Sequence, residues 1–338
     1  MRHYQRTAFV AVLSLATAAV AQNYHISNRW NIGGQGGWDY LVSDDAAHRL
    51  YITHNSRVEV VDTKTGTSLG AVTGLKSTHG VALNPDGKIG YISDGAGNAI
   101  IVFDRETFTV KSTIPAGTNP DGIAFEPSTK TVWAFNGRSN NVSVLDTSSN
   151  DIIATIPLPG KPEFPQVDGH GAVFVNIEDK NAIVKLDASN HQVLATWPLN
   201  GCESPSGMAI DRTKHRLFSV CDGGKMAIVD YTSGKLLGLA SIGDSPDAAG
   251  YDEKSGLAFS SNGGDATLSV IDASKPGFPA IQSVKTAKGA RTMTFDALTG
   301  RVYLVTAQFG PAPAATAATP RPRATVVPGS FEVLVVEK

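Results

Sequence analysis

The sequence is a series of repeats, and an acidic residue marks the same place in each of them. It recurs at intervals of 42, 42, 41, 43, 42 and 65 residues, at Asp62, Asp104, Asp146, Asp187, Asp230, Asp272 and Glu337. Each repeat contains short runs of alternating apolar residues, bounded by Gly, Pro, Asn, Asp or Ser. Around Asp146 these runs are Gly122–Phe125, Thr131–Phe135, Asn141–Leu145 and Asp151–Ile156. Each repeat is therefore predicted to form four short antiparallel strands.

A sheet of four short strands buries both faces only when similar sheets pack on either side of it. Seven units of this kind predict an all-β fold, a seven-bladed β-propeller, as a single domain over residues 22–338. The last repeat ends at its third strand, whereas the segment Tyr24–Ile32 precedes the first strand of the first repeat. This segment is expected to supply the missing fourth strand, which would leave no open sheet edge between the first and last units.

The first 21 residues have the layout of a secretory signal peptide. Two arginines precede an apolar run, Ala8–Ala16, and small residues precede Gln22. The apolar run is shorter than the roughly 20 residues of a membrane-spanning helix, so cleavage after Ala21 is favoured over retention as an anchor. The mature chain is then expected in the periplasm or outside the cell, without a transmembrane anchor.

The overall composition bounds the classes of partner and cofactor. The formal net charge is −2, 18% of the residues are charged, and Lys and Arg do not cluster, which argues against a nucleic-acid partner. The chain has no CxxC, P-loop, HExxH or GxSxG motif, so no particular cofactor is predicted. Its two cysteines, Cys202 and Cys221, are expected to form a disulfide in an oxidising compartment.

Two aligned sets of residues mark candidate ligand-binding positions. The first set opens the first strand of each repeat and comprises Asp39, His79, Asp121, Glu163, Ser206, Asp247 and Arg291. The second set closes the second strand and comprises His54, Asp94, Asn136, Asn176, Cys221, Asn262 and Thr306. The start of one strand lies beside the end of its antiparallel neighbour, so both sets are expected to ring the mouth of the central channel. For any single residue, turn capping is the competing interpretation.

Carboxylates gathered at such a mouth need a counter-charge to remain ionised. Asp121, Glu163 and Asp247 are therefore candidate ligands for a divalent cation, either Ca²⁺, Mg²⁺ or Zn²⁺. The long last interval comes from residues 307–330, a Pro- and Ala-rich loop insertion in the seventh repeat. It is expected to leave the ring on the same face as the two sets. Two interpretations of it stay open, a flap over the mouth and a disordered insertion without a function.

Several stretches carry a family resemblance. YITHN, YISDGAGNAIIVFD, FNGRSNNVSVLDTSSNDIIATIPLPGKPEF and RLFSVCDGGKMAIVD resemble the YVTN β-propeller repeats of exported bacterial YncE-like proteins. The resemblance covers residues 24–338 and implies seven blades used as a non-catalytic binding scaffold for a protein partner or a small ligand. The architecture is also similar, more distantly, to gluconolactonase and regucalcin-like propellers. That similarity implies the alternative function, a metal-dependent hydrolase, although no lactonase motif can be matched residue by residue.

Overall fold

The computed structural model describes residues 23–314 and 324–338, and the signal peptide expected at residues 1–21 lies outside them. The first nine strands are β1 His25–Asn31, β2 Trp38–Asp44, β3 Arg49–His54, β4 Arg57–Asp62, β5 Ser68–Val72, β6 Thr78–Leu83, β7 Ile89–Asp94, β8 Ala99–Asp104 and β9 Val110–Pro115. The next eight are β10 Pro120–Glu126, β11 Thr131–Asn136, β12 Asn141–Asp146, β13 Asp151–Pro157, β14 Pro162–Val167, β15 Ala172–Ile177, β16 Ala182–Asp187 and β17 Gln192–Pro198. A turn of 3-10 helix, Glu178–Lys180, separates β15 from β16.

The remaining strands belong to the last three repeats. They are β18 Met208–Asp211, β19 Arg216–Cys221, β20 Lys225–Asp230, β21 Lys235–Ser241, β22 Pro246–Asp252, β23 Leu257–Asn262, β24 Thr267–Asp272, β25 Ala280–Lys285, β26 Met293–Asp296, β27 Arg301–Thr306 and β28 Glu332–Glu337. The strands form seven four-stranded antiparallel sheets. Six of these sheets take consecutive strands, from β2–β5 to β22–β25, and the seventh has the order β26-β27-β28-β1.

The N-terminal strand closes the ring as predicted. β1 pairs with β28 over a register that runs from His25 opposite Glu337 to Asn31 opposite Glu332. Tyr24, just before the strand, is buried, and its ring stands edge-on to Phe259 of blade six at 5.2 Å. The first residues of the described chain therefore hold the last two blades together.

The acidic residues that recur once in each repeat stabilise turns. Asp146 Oδ1 accepts hydrogen bonds from the backbone N–H of Ser148, at 2.7 Å, and from its hydroxyl. The equivalent residues of other repeats do the same, Asp62 to Lys64, Asp187 to Ser189, Asp230 to Thr232 and Asp272 to Ser274. Each of these aspartates accepts hydrogen bonds from backbone N–H groups that the tight turn leaves unpaired. This confirms the prediction that they stabilise hairpin turns. Glu337 differs, because it pairs with Arg301 instead.

The hydrophobic core lies between neighbouring blades. In one cluster Trp133 and Phe135 of blade three pack on Val173 and Val175 of blade four, and all four are fully buried. Alternation along each strand sends successive side chains to the two faces of its sheet, so a central strand contributes to the core on both sides. This explains why the inner strands read as nearly continuous apolar runs while the outermost strands alternate.

Cys202 and Cys221 form the predicted disulfide, with their Cα atoms 5.4 Å apart. The bond joins the segment before the first strand of blade five to the end of its second strand. The described part of the chain has no helix long and apolar enough to cross a membrane.

The base of the insertion is more ordered than its composition predicts. Phe309 and Val326 form an isolated antiparallel bridge, and the N–H of Gly310 donates to the carbonyl of Thr325 at 2.8 Å. The Phe309 ring lies 6.1 Å from that of Trp38, next to the channel mouth. The base therefore leaves the ring on the expected face. The flap interpretation concerns mainly residues 315–323, which lie outside the described residues.

Candidate functional site

The first aligned set converges on one cavity at the channel mouth. All seven of its members line a space of about 560 Å³, together with Trp38, Tyr40, Lys161 and Glu178. The first strand of each sheet lies innermost, and all these strands begin at the same end of the channel. A residue that opens such a strand is therefore brought to the mouth whatever its type.

Hydrogen bonds between blades fix the backbone of these residues. The Thr53 hydroxyl of blade one donates to the carbonyl of His79 in blade two at 3.0 Å. The Ser93 hydroxyl of blade two donates to the carbonyl of Asp121, and that of Ser261 in blade six donates to the carbonyl of Arg291. Thr292 of blade seven closes the ring by donating to the carbonyl of Asp39 at 2.9 Å. The mouth side chains therefore start from carbonyls that their neighbours hold in place, which preorganises the cavity.

His79 lies between two carboxylates. Its Nδ1 donates to Asp39 Oδ2 at 2.7 Å and lies 3.7 Å from Asp121 Oδ1. Burial alone would lower the pKa of His79, but the hydrogen bond to Asp39 and the charge of Asp121 outweigh it and raise the pKa to about 9. His79 is therefore an imidazolium at neutral pH and acts as an internal cation of the mouth.

Two further cationic groups pair with the remaining carboxylates. Arg291 Nε donates to Asp247 Oδ2 at 2.6 Å, and another guanidinium nitrogen lies 3.7 Å from Asp39 Oδ1. Lys161 Nζ lies 2.6 Å from Glu163 Oε1 and also pairs with Glu178. The cavity wall thus carries five carboxyl groups and three cationic groups.

Burial among like charges raises the pKa of several acids at the mouth. It raises the pKa of Asp121 to about 6, with the charge of Asp39 adding to the effect. It raises the pKa of Asp247 to about 7 against the opposing pull of Arg291, and the pKa of Glu163 to about 8 with the help of Asp121. The mouth therefore reduces its excess negative charge by holding protons, and an added cation would displace them.

The second aligned set does not reach the cavity. His54, Asp94, Asn136, Asn176 and Asn262 are almost completely buried, and in the described chain none of them lines the mouth. Asp94 accepts the N–H of Ser77 at 2.7 Å, and Asn136 Nδ2 donates to Asn141 at 2.7 Å and to Ser143 at 3.0 Å. Their side chains point into the layer between strands and loops, where buried polar groups must find internal partners. These five residues do not line the mouth, so the prediction that the second set rings it is wrong for them.

The other buried members of the second set also make local contacts. Asn262 Nδ2 donates to Thr267 and to Ser269, each at 3.0 Å. Asn176 Nδ2 donates to the carbonyl of Ser206 at 2.8 Å and so supports a mouth residue from behind. His54 lies 3.4 Å from Glu59 and stacks on Phe331. These contacts join strands and blades to one another.

The expected metal set is not brought together. Asp121 lies beside His79, whereas Glu163 pairs with Lys161 and Asp247 pairs with Arg291. Within the described residues, three potential ligand atoms approach to within 4.8 Å of one another at Asp39, His79 and Asp121. Carboxylate and imidazole donors of this kind suit Zn²⁺. Coordination through His79 Nδ1 would first require that nitrogen to lose the proton it donates to Asp39.

Lys161, Glu178 and Tyr40 are among the residues of the cavity wall that sequence reasoning missed. Glu178 comes from the 3-10 turn of blade four, and Lys161 lies two residues before Glu163, so neither falls in an aligned set. Tyr40 follows Asp39, and strand alternation predicts that it points away from the mouth. The register between β2 and β3 is irregular between Trp38 and Leu41, which lets both neighbours contact the cavity. The sequence offered one signal for these residues, the spacing of Lys161 and Glu163, because it places a cation beside an acid.

Comparison with known proteins shows the architecture. No family model matches the chain, and no curated protein matches it. Hydrazine synthase of Kuenenia stuttgartiensis is 15% identical, with a TM-score of 0.72 over 80% of this chain and 92% of that one. U3-55K is 10% identical, with a TM-score of 0.73 over 93% and 98% of the two chains. The WD40 repeats of RRP9 are 10% identical, with a TM-score of 0.75 over 93% and 97%.

This chain is a seven-bladed β-propeller. At 10–15% identity the likeness carries the fold and no ligand or partner. The function must therefore be argued from the mouth of this propeller.

Proposed function

We propose that this chain is an exported β-propeller of the YVTN-repeat, YncE-like kind that binds a small polar ligand at its channel mouth without transforming it. The observation that carries the proposal is the convergence of all seven first-set positions on one cavity of about 560 Å³ with opposed charged groups. Concave sites with a few convergent polar groups and perturbed pKa values are typical of ligand binding. Export is supported by the layout of residues 1–21 and by the disulfide.

The excess of carboxylates decides the sign of the ligand's charge. Five carboxyl groups face three cationic groups, and three of those carboxyl groups have pKa values raised towards or above neutrality. Such a wall is electrostatically unfavourable when empty and is relieved by a cation. We therefore expect a ligand with positive charge or many hydrogen-bond donors.

The proposal is tested by thermal melts of the mature chain with a probe panel. The panel consists of CaCl₂, MgCl₂, ZnCl₂, alkylamines and a neutral sugar, each with a matched salt control. At least one cationic probe should raise the melting temperature of the wild type and not that of Asp121→Asn. If no probe separates the two proteins, the mouth is not the binding site. Export is checked separately by N-terminal sequencing of the secreted chain, which should begin at Gln22.

The metal-dependent hydrolase remains the second candidate, and one observation favours it. The three donors of Asp39, His79 and Asp121 could hold a divalent ion, which would polarise a carbonyl group and activate water. Metal analysis of protein purified without chelator distinguishes the two candidates. Stoichiometric metal that is lost in His79→Ala, together with lactone hydrolysis, would favour the enzyme over the binding protein.

A further inference from the structure

The surplus negative charge at the mouth lies in two separate groups. In the first group Asp39, Asp121 and Asp247 share two cations, His79 and Arg291. The group therefore has one negative charge more than it has partners. Asp121 is the carboxylate left over, because it accepts no hydrogen bond from the described residues and its nearest cationic atom is His79 Nδ1 at 3.7 Å.

The second group comprises Glu163, Glu178 and Lys161. Lys161 pairs with both glutamates, so two carboxylates share one ammonium group. When both glutamates are ionised, this group also has one negative charge in surplus. Blade three supplies Asp121, whereas blade four supplies all three members of the second group. The cavity therefore presents two unmatched charges at different points on its wall.

Tyr40 offers a ligand at the mouth an unpaired hydroxyl. It is 5% exposed, lines the mouth, and packs edge-on against Phe164 with the ring centroids 4.8 Å apart. Its hydroxyl has no hydrogen-bond partner among the described residues, although the charges of Asp247, Glu163, Asp121 and Asp39 all act on it. Its oxygen is not among the fully enclosed polar atoms that lack a partner, so water in the cavity can reach it. The hydroxyl is therefore available to a molecule bound at the mouth.

The channel below Tyr40 limits how deep that molecule reaches. A second cavity of about 290 Å³ follows it, and its wall includes the apolar side chains Ile123, Ile210 and Met293. Its wall also carries the polar side chains Gln166, Arg212 and Thr294, with the cation Arg212 and no carboxylate. Tyr40 and Phe164 line this deeper chamber, and Tyr40 also lines the mouth. The carboxylates that would pair with a cationic ligand therefore belong to the mouth chamber.

A single metal ion matches this wall poorly. One ion placed at Asp121 would leave the surplus of the second group unmatched, and it would compete with the proton of His79. A chamber of about 560 Å³ also exceeds what one ion fills. Two ammonium groups joined by a short chain would meet both surpluses at once, and each presents three hydrogen-bond donors to acids that only accept.

We propose that the mouth binds a short linear diamine, with one ammonium group at Asp121 and the other at the pair of Glu163 and Glu178. This inference rests on the proposed binding function and names its ligand class. The Tyr40 hydroxyl receives a hydrogen bond from, or shares a water molecule with, the group at Asp121.

Isothermal titration calorimetry of the mature chain with 1,4-diaminobutane tests the inference. We expect saturable binding of one diamine per chain, at least tenfold weaker binding of 1-aminobutane, and none of 1,4-butanediol. Asp121→Asn and Glu178→Gln should each weaken diamine binding at least tenfold, because each removes one of the two surplus charges.

Asp151→Asn is the matched control, since it removes an exposed carboxylate from the outer strand of blade three. It should bind like the wild type, and circular dichroism melts establish that all variants fold. The inference would be overturned if the chain bound the diamine and the monoamine with equal affinity. It would also be overturned if Asp151→Asn weakened diamine binding as much as Asp121→Asn and Glu178→Gln do. If the diamine does not bind, but Zn²⁺ or a monoamine binds in a way that depends on Asp121, the inference is overturned and the proposed function stands. Failure of every cationic probe would overturn both.

Discussion

The N-terminal strand offers the sharpest test of how the ring is held closed. Tyr24 is buried at the point where this strand meets blades six and seven, and its ring packs edge-on against Phe259. Its backbone also exchanges two hydrogen bonds with the side chain of Gln282, at 3.0 and 2.7 Å. Tyr24→Ala removes the ring and leaves the backbone bonds, so it isolates the contribution of side-chain packing to closure.

Replacing a buried aromatic residue by Ala typically costs about 3–5 kcal/mol of unfolding free energy, from lost transfer energy and the cavity left behind. The entropy of unfolding is about 2.1 cal/mol/K per residue, so 1 kcal/mol corresponds to a shift of about 1.5 °C for a chain of this length. Tyr24→Ala should therefore lower the melting temperature by about 5–7 °C. Deletion of residues 24–32 should lower it further, because it also removes the pairing of β1 with β28.

Differential scanning calorimetry of the mature chain measures this shift. The matched control is His25→Ala, which changes the exposed neighbour of Tyr24 and should shift the melt by less than about 1 °C. A Tyr24→Ala protein that melts with the wild type would refute the reasoning, since it would mean that blades six and seven do not depend on the strand.

Three other predictions concern the mouth and the interior. Burial raises the pKa of Asp247 from 3.8 to about 7, so its contribution to stability is present at acid pH and lost as the pH rises through 7. The melting temperature should therefore fall between about pH 4 and pH 7, and less steeply in Asp247→Asn. Parallel profiles of the two proteins over this range would contradict the prediction. Replacing Cys202 and Cys221 together by Ala should lower the melting temperature by about 4–5 °C, from about 3 kcal/mol of lost cross-link stabilisation. Two titratable thiols in denatured, non-reduced wild type would show that no disulfide had formed. Asn136→Ala should cost about 1–3 kcal/mol by leaving the Ser143 network incomplete, without changing diamine affinity in calorimetry.

The fold could be predicted because its signals are local and repeated. The strands of blade three lie within two residues of the runs read around Asp146, and the closure of the ring followed from one missing strand and one spare segment. Asp146 also stabilises its turn in the expected way. Each of these features depends on residues close together in sequence, and seven copies of one pattern average out the ambiguity of any single copy.

The site could be predicted only in part, for a geometric reason. Alignment identifies which residues open and close the strands, and it correctly placed Asp121 and its six counterparts at the mouth. It could not show that Asn136 points into the interior, because that depends on the twist and tilt of the blade. Nor could it show that Lys161 and Arg291 each bind a different acid, since pairing across a ring depends on distances between blades.

The hydrogen bonds that join one blade to the next have a consequence for how such a protein can diversify. They end on main-chain carbonyl oxygens, as in the bonds from Thr53 to His79 and from Thr292 to Asp39. A carbonyl oxygen is the same whatever side chain its residue carries. The side chains at the seven mouth positions can therefore be exchanged without breaking the bonds that hold the ring together, and a lineage of such proteins can change what it recognises while its architecture stays constant.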